Sequence, residues 1–281
     1  MIDLHLHTTA SDGRCRPTEL ITRLQTAGVT TFAITDHDTL AGSVEAQPYA
    51  ERLGLTLVPG LEVTAVWGGR DVHVLGYWVD VEHAQLHAFL GAQRARRVER
   101  LVAIGSALAH AGVSVDVEPL LRSVEVRPGA SIGRPAMAQA LVDAGHASSV
   151  QDAFERWLGE GRPGYVPRKG VAPEEVFHII HAAGGLASLA HPGVTRRDEM
   201  IATWARAGLD AIEAYHSDHS EAEQALYVER ARQLGLAVTG GSDFHGDDPQ
   251  SFRARRRTIG GVSLPDADWQ VLAARVPPRS S

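Results

Sequence analysis

The chain has 281 residues, 44% hydrophobic and 22% charged, with a formal net charge of −7. At roughly 150 residues per domain it has room for one large domain or one domain carrying an insertion, and its composition excludes collagen-like, wholly disordered and coiled-coil chains. The one cysteine, Cys15, excludes a disulfide-stapled scaffold and a cysteine-based zinc site, and the negative balance gives no general attraction to nucleic acid or an anionic membrane.

Met1–His5 lacks a signal-peptide pattern and no apolar run reaches the ~20 residues that span a bilayer, which predicts a cytoplasmic location without membrane contact. Of the 27 basic residues only Lys169 is a lysine, so an anionic substrate would need local positive groups, mostly arginines.

In chain order, Ile2–His7 alternates strictly and predicts a strand that sends His5 and His7 to one face and Ile2, Leu4 and Leu6 to the other. Pro17–Ala27 reads as a helix closing on Gly28, and Thr30–Thr35 as a strand followed by Asp36-His37-Asp38. Ala41–Leu53 is a predicted helix, Leu55–Pro59 a strand running into Gly60-Leu61-Glu62, and Val72–Val79 a fourth strand containing His73. Between Leu86 and Gly170 the strand signal stops. Helices are predicted there at Leu86–Ala111, Val117–Val124, Arg134–Ala144 and Val150–Leu158, separated by Gly and Pro clusters. The alternation returns with helix Pro173–Ala183, strand Leu186–Ala190 before His191-Pro192, and helix Arg197–Ala207. Strand Ala211–Tyr215, helix Glu221–Leu234, strand Ala237–Gly240 before Ser242-Asp243-Phe244-His245, and a frayed tail Val276–Ser281 complete the chain.

Seven strands alternating with helices predict an α/β barrel-like domain built from residues 1–85 and 170–281, with a helical insertion over residues 86–169 covering the site. A lone His-x-His is most often a pair of half-buried histidines. Here the remaining histidines and carboxylates mostly follow strand ends, which in β/α barrels converge on one rim. By contrast His83, His87, His110, His146, His178 and His181 are scattered over helices and loops. Such clustering points to a polynuclear site of imidazoles and carboxylates, suited to Zn²⁺, Mn²⁺ or Fe²⁺.

The motifs His5-Leu6-His7-Thr8-x-x-Ser11-Asp12-Gly13, Thr35-Asp36-His37-Asp38, Pro59-Gly60-Leu61-Glu62, His73-Val74-Leu75-Gly76-Tyr77, Ala190-His191-Pro192 and Gly241-Ser242-Asp243-Phe244-His245 resemble, in order, those of the PHP (polymerase and histidinol phosphatase) family of metal-dependent phosphoesterases. The resemblance implies a distorted (β/α)7 barrel and three divalent ions, Mn²⁺ first, with Zn²⁺, Fe²⁺ or Mg²⁺ as alternatives. It implies His5, His7, Glu62 and Asp243 on the first ion, Glu62 as a bridge with His73 and His191 on the second, and Asp12, His37 and His245 on the third. Glu62, Asp243 and His37 would act in catalysis by holding the ions that activate water. Asp36 and Asp38 are expected to orient their neighbours.

Within the family, the insertion with Ser131-x-Gly133-Arg134-Pro135 and Tyr165-Val166-Pro167-x-Lys169 resembles the subgroup of 3′,5′-nucleoside bisphosphate phosphatases and 5′→3′ exonucleases acting on short oligonucleotides. Ala136 stands where related members often carry histidine. Arg134-Pro135 opens a predicted helix, whose N-terminus and guanidinium suit an anion, and Ser131, Arg134 and Lys169 are the expected phosphate contacts. The expected reaction is removal of the 3′-phosphate from a nucleoside 3′,5′-bisphosphate. The alternatives are 5′→3′ cleavage of short 5′-phosphorylated oligonucleotides, histidinol phosphate hydrolysis, and a non-catalytic metal-binding module. His216 and His219 are candidates for the acid that protonates the leaving group. The basic runs Arg94–Arg100 and Arg253–Arg257 read as solvated faces or as approaches for an oligonucleotide. No nucleophile elbow or Walker A loop is present, and no obligate protein partner is implied.

Overall fold

The structure is a computed structural model and describes residues 1–127, 129–247 and 257–278. Seven strands form one sheet in sequence order: β1 (Ile2–Asp3), β2 (Thr31–Ile34), β3 (Thr56–Trp67), β4 (Arg70–Tyr77), β5 (Leu186–Leu189), β6 (Ala211–His216) and β7 (Ala237–Gly241). The sheet curls into a nearly closed barrel. Past β1 the extended chain lies beside β7: Leu4 N–H donates to Gly240 O (3.1 Å), Asp243 N–H to His5 O (2.8 Å) and His7 N–H to Phe244 O (2.9 Å). The α/β class and the seven strands agree with the sequence expectation.

The strand directions differ from a uniform β-α repeat. β4 is antiparallel to both β3 and β5, whereas the other neighbours are parallel. Antiparallel strands need only a tight turn, and Gly68-Gly69, with φ of 56° and 76°, supplies the two left-handed residues of a two-residue hairpin. The strand therefore continues eight residues beyond the predicted end at Pro59, to Trp67. Its first part pairs with β2 and its second with β4. Glu62 consequently sits at the rim where β2 ends, and the reversed β4 brings His73 to that rim from its own start.

Helices α1 (Pro17–Thr26) and α2 (Ala41–Arg52) flank the early strands. Leu6, Leu20, Ile21, Leu24, Phe32 and Ile34 form one buried cluster there. The larger cluster joins barrel-strand residues such as Leu4, Leu61, Val63 and Leu189 to Phe177, Trp204 and Tyr227 on the later helices. The insertion holds α3 (Ala84–His110), α4 (Glu118–Glu125), α5 (Arg134–Asp143) and α6 (Val150–Ala153), which runs into a π-helical turn, Phe154–Leu158. These helices share a separate core of Leu101, Ile104, Leu108, Met137, Leu141 and Leu158.

After α7 (Pro173–Ala182) comes a turn of helix α8 (Pro192–Thr195), and the predicted helix Arg197–Ala207 is present as a 3₁₀ turn (Asp198–Met200) running directly into α9 (Ile201–Arg206). Arg196, at φ 51°, interrupts the path. α10 (Glu221–Leu234) opens on a Ser220/Glu223 capping box and ends at Gly235. Sequence reading missed α11 (Asp266–Ala273), eight residues held by stacking of Trp269 on Trp78 at 5.4 Å. No described helix is long and apolar enough to cross a membrane. Residues 279–281 of the Val276–Ser281 tail and 253–256 of the Arg253–Arg257 run lie outside the described residues.

Gly241 marks the seam of the barrel. A Cβ there would lie 2.4 Å from the backbone nitrogen of His5, so the two chain ends approach each other only because position 241 has no side chain. Gly241→Ala is expected to lower stability by about 1–3 kcal/mol, as overpacking does. A thermal or denaturant melt of the metal-free protein checks this.

Candidate metal centre and its cleft

Nine side chains singled out in the sequence, His5, His7, Asp12, His37, Glu62, His73, His191, Asp243 and His245, meet at one rim. Ligand atoms lie within 4.8 Å of one another in groups such as His7/Asp12/His37/His245, His5/His191/Asp243, His5/His7/Glu62 and His37/Glu62/His73. Glu62 is central. Its carboxylate is 2.6 Å from His73 Nδ1, 3.1 Å from His37 Nδ1, 3.2 Å from His7 Nε2, 3.3 Å from His191 Nε2 and 3.4 Å from His5 Nε2. Asp243 Oδ1 is 3.2 Å from His7 Nε2 and 3.4 Å from both His5 Nε2 and His245 Nδ1.

This set fits divalent metal. His7 Nε2, His37 Nδ1, His73 Nδ1 and His191 Nδ1 are buried without a hydrogen-bond partner, although buried polar atoms are ordinarily satisfied. Several lone-pair nitrogens facing shared carboxylates form a donor set of the kind that cations complete.

Charge coupling within the cage is strong. Burial pushes the His7 imidazole towards neutrality, but the neighbouring carboxylates of Asp243 and Glu62 outweigh this and raise its pKa to about 10. Burial likewise opposes a proton on His5, yet Glu213, Asp243 and Glu62 raise its pKa well above the usual imidazole range. Burial would raise Glu62, but His37, His73 and His5 hold it well below the usual carboxylate range.

A second ring of groups fixes the first. Glu213 on β6, which sequence reading did not single out, accepts from His5 Nδ1 at 2.8 Å and from the His191 backbone N–H at 2.7 Å. A buried acid in an apolar strand between two histidine motifs was the available signal. Asp36 accepts from Thr8 N–H (2.7 Å), Thr8 Oγ1 (2.6 Å) and Ser11 Oγ (2.6 Å), shaping the loop that carries Asp12. Asp38 is bonded by Arg97 and accepts from the Thr64 backbone at 3.3 Å. Asp38, His191 and Asp243 have φ of 53°, 28° and 54°, strained backbone of the kind that clusters at functional sites.

A cleft of about 580 Å³ opens over the cage. Asp71 on its wall gathers three guanidiniums: Arg168 at 3.2 Å, Arg134 at 3.5 Å and Arg100 at 3.9 Å. Burial and neighbouring Arg97 press the Arg168 pKa down to about 10, the mark of crowded positive charge. Arg257 spans Asp243 and Asp218 at 2.6 Å each. Arg94 and Arg97 are turned towards the barrel, where Arg94 donates to Asp38 O (3.0 Å) and Arg97 to Thr64 Oγ1 (2.9 Å), while Arg100 donates to Val166 O (2.9 Å) within the insertion and stands 3.9 Å from Asp71. These three of the run's four arginines form a seam between insertion and barrel.

Two expected phosphate contacts and both candidate acids lie elsewhere. Lys169 is exposed and off the cleft, and Arg168, one residue earlier, takes the inward place. Ser131 is buried outside the cleft lining and ties its backbone N–H to Ala10 O at 2.8 Å. His216 and His219 sit behind the cage: His216 is wholly buried with Nε2 3.3 Å from Asp243 Oδ2, and His219 is clasped between Ala214 O (2.8 Å) and Gly193 N–H (3.1 Å). Neither faces the cleft where a leaving group would be. Cys15 is buried, and that burial pushes its thiol up, away from nucleophilic thiolate chemistry.

A barrel bearing an imidazole–carboxylate cage beneath an arginine-lined cleft is the architecture of a hydrolytic metalloenzyme. Residues 3–122 match the PHP domain. The chain is 37% identical over 250 residues to the 5′-3′ exoribonuclease Rnm of Escherichia coli (strain K12), covering 86% of this chain and 84% of that relative. It is 34% identical over 249 residues to the 3′,5′-nucleoside bisphosphate phosphatase of Chromobacterium violaceum, covering 87% of each. A crystal structure described as a metal-dependent phosphoesterase from Bifidobacterium adolescentis superposes with a TM-score of 0.87 at 30% identity, over 99% of this chain and 96% of that one. The chain belongs to the PHP family of metal-dependent phosphoesterases, and it is a hydrolase.

Two outcomes follow from the cage. Because His5 and His7 hold protons in the metal-free state, binding Mn²⁺ near pH 7 must release protons, and affinity must rise with pH. Calorimetric titration in buffers of different ionisation enthalpy reads the release directly, and none would contradict the charge assignment. Glu213→Ala leaves His5 Nδ1 without its acceptor and is expected to weaken metal binding by about 10–100-fold with the fold retained, measured by equilibrium dialysis.

Proposed function

We propose that the protein removes the 3′-phosphate from nucleoside 3′,5′-bisphosphates, giving a nucleoside 5′-monophosphate and phosphate. One observation carries the reading. His73 and Asp71 lie two residues apart on β4 and therefore share a face. His73 belongs to the cage, while Asp71 collects Arg100, Arg134 and Arg168. The two centres are about 7 Å apart along the strand, comparable with the separation of the two phosphates across one ribose. Three arginines against one carboxylate leave net positive charge, which a second phosphate complements through charge-assisted bonds.

In this reading His5, His7, Glu62 and Asp243 hold one ion, Glu62, His73 and His191 a second, and Asp12, His37 and His245 a third, with Mn²⁺ the proposed native metal. Such ions supply an acidified water nucleophile and neutralise phosphoryl and leaving oxygens. The chain's own residues do the positioning. Glu213 fixes the imidazole of His5, Asp36 fixes the Asp12 loop, and Arg134 and Arg168 orient the distal phosphate so that the ester at the cage is aligned. Because His216 and His219 lie outside the cleft lining, this reading assigns neither of them the proton transfer to the leaving oxygen.

A 5′→3′ exonuclease acting on 5′-phosphorylated oligonucleotides breaks the same bond, between phosphorus and the 3′-oxygen of a nucleotide carrying a 5′-phosphate. The difference is only what hangs on the far side of the phosphorus. The extent of the cleft, from Arg14 and Gly246 to Gln139 and Phe154, favours room for that second use, and the exoribonuclease relatives agree with it.

Arg134→Ala is expected to raise KM for adenosine 3′,5′-bisphosphate by about 10–100-fold, the worth of a hydrogen bond to a charged group. Hydrolysis of adenosine 3′-monophosphate should stay within about twofold of the parent rate. Phosphate release with Mn²⁺, compared over bisphosphates, monophosphates, histidinol phosphate and short 5′-phosphorylated RNA, checks both. Equal efficiency on 3′-monophosphate and 3′,5′-bisphosphate would remove the basis for the reading.

A further inference from the structure

Resting on the nucleotide reading, we propose that Phe154 and the apolar wall around it form a stacking platform for the nucleobase of the substrate.

The cleft changes character along its length. Over the cage it is lined by imidazoles and carboxylates, then by the arginines around Asp71, and beyond Arg134 by Ile132, Ala136, Val150 and Phe154. Neither a metal nor a phosphate has use for that last stretch, because burying apolar surface rewards only an apolar partner. Apart from the histidines, Phe154 is the one aromatic ring among the described residues that line the cleft. It packs on the insertion's core yet stays only partly buried.

Its local backbone supports the assignment. Phe154 opens the π-helical turn Phe154–Leu158, and its carbonyl accepts from Gly159 N–H at 2.8 Å. Such widened turns are rare and recur at functional sites. The Arg134 guanidinium carbon lies 5.7 Å from the centre of the Phe154 ring, and the same guanidinium reaches Asp71. A nucleotide whose 5′-phosphate meets Arg134 therefore delivers its base beside Phe154. Every base has a π-face, so stacking gives affinity without selecting among bases.

The test uses the metal-loaded protein and Phe154→Leu, which keeps the apolar bulk against the insertion core and removes only the ring, with Phe154→Trp as the conservative partner. Substrates are the four nucleoside 3′,5′-bisphosphates and base-free ribose 3,5-bisphosphate. Expected results are a KM rise of roughly tenfold for all four nucleotides in Phe154→Leu, an unchanged KM for the base-free sugar, and parental values in Phe154→Trp. Equal KM values for nucleotide and base-free substrate in the parent enzyme, or an unchanged ratio in Phe154→Leu, would overturn the platform. Equilibrium binding of adenosine 5′-monophosphate against ribose 5-phosphate separates this inference from the reading beneath it. Should no bisphosphate be turned over, ring-dependent preference for the nucleotide still upholds the platform, and its absence sinks it.

Discussion

Five histidine nitrogens stand within 3.4 Å of the single carboxylate of Glu62. A buried carboxylate of this kind is tolerable only when opposite charge surrounds it. Without cations, that charge comes from protons on neighbouring imidazoles, and His7 holds one up to about pH 10. Were cations bound, His5 and His7 would turn from proton carriers into ligands. The barrel rim is organised around this exchange, and the strained backbone at His191 and Asp243 is the local cost of pointing so many donors at one place.

The barrel and the insertion divide the chemistry. The rim supplies charge for a phosphoryl group. The insertion supplies Arg100 and Arg134 and the apolar stretch beyond, over a core of its own. Asp71 joins the two, since it stands on a barrel strand next to the cage yet binds guanidiniums from α3, α5 and the segment after the π-helical turn. Arg97, bonded to Asp38 and Thr64, anchors the same seam from the insertion side.

The legible parts of the sequence were those with short-range signatures. Strict alternation over Ile2–His7 placed two imidazoles on one face, and histidine and acid pairs after strand ends marked a common rim. The reversal of β4 had only the Gly68-Gly69 pair to announce it, and a β-α rhythm elsewhere concealed it. Glu213 left only the faint signal of an acid inside an apolar strand, which gains its meaning once the strand lies beside His5. The inward residue of Arg168-Lys169 could not be chosen from sequence, since side-chain direction in an irregular segment is set by what packs on it. Arg94–Arg100 looked like a solvated face because the partners, Asp38 and Thr64, lie 33 to 59 residues away along the chain and meet it only in the fold.

The closure between Leu4–His7 and Gly240–Phe244 orders events at the ribosome. His5 and His7 emerge more than two hundred residues before Asp243 and His245. The nascent polypeptide thus cannot assemble a complete cage while most of it is being made, and contacts so distant in sequence form slowly. A complete donor set is thereby deferred until the segment carrying Asp243 and His245 has been made.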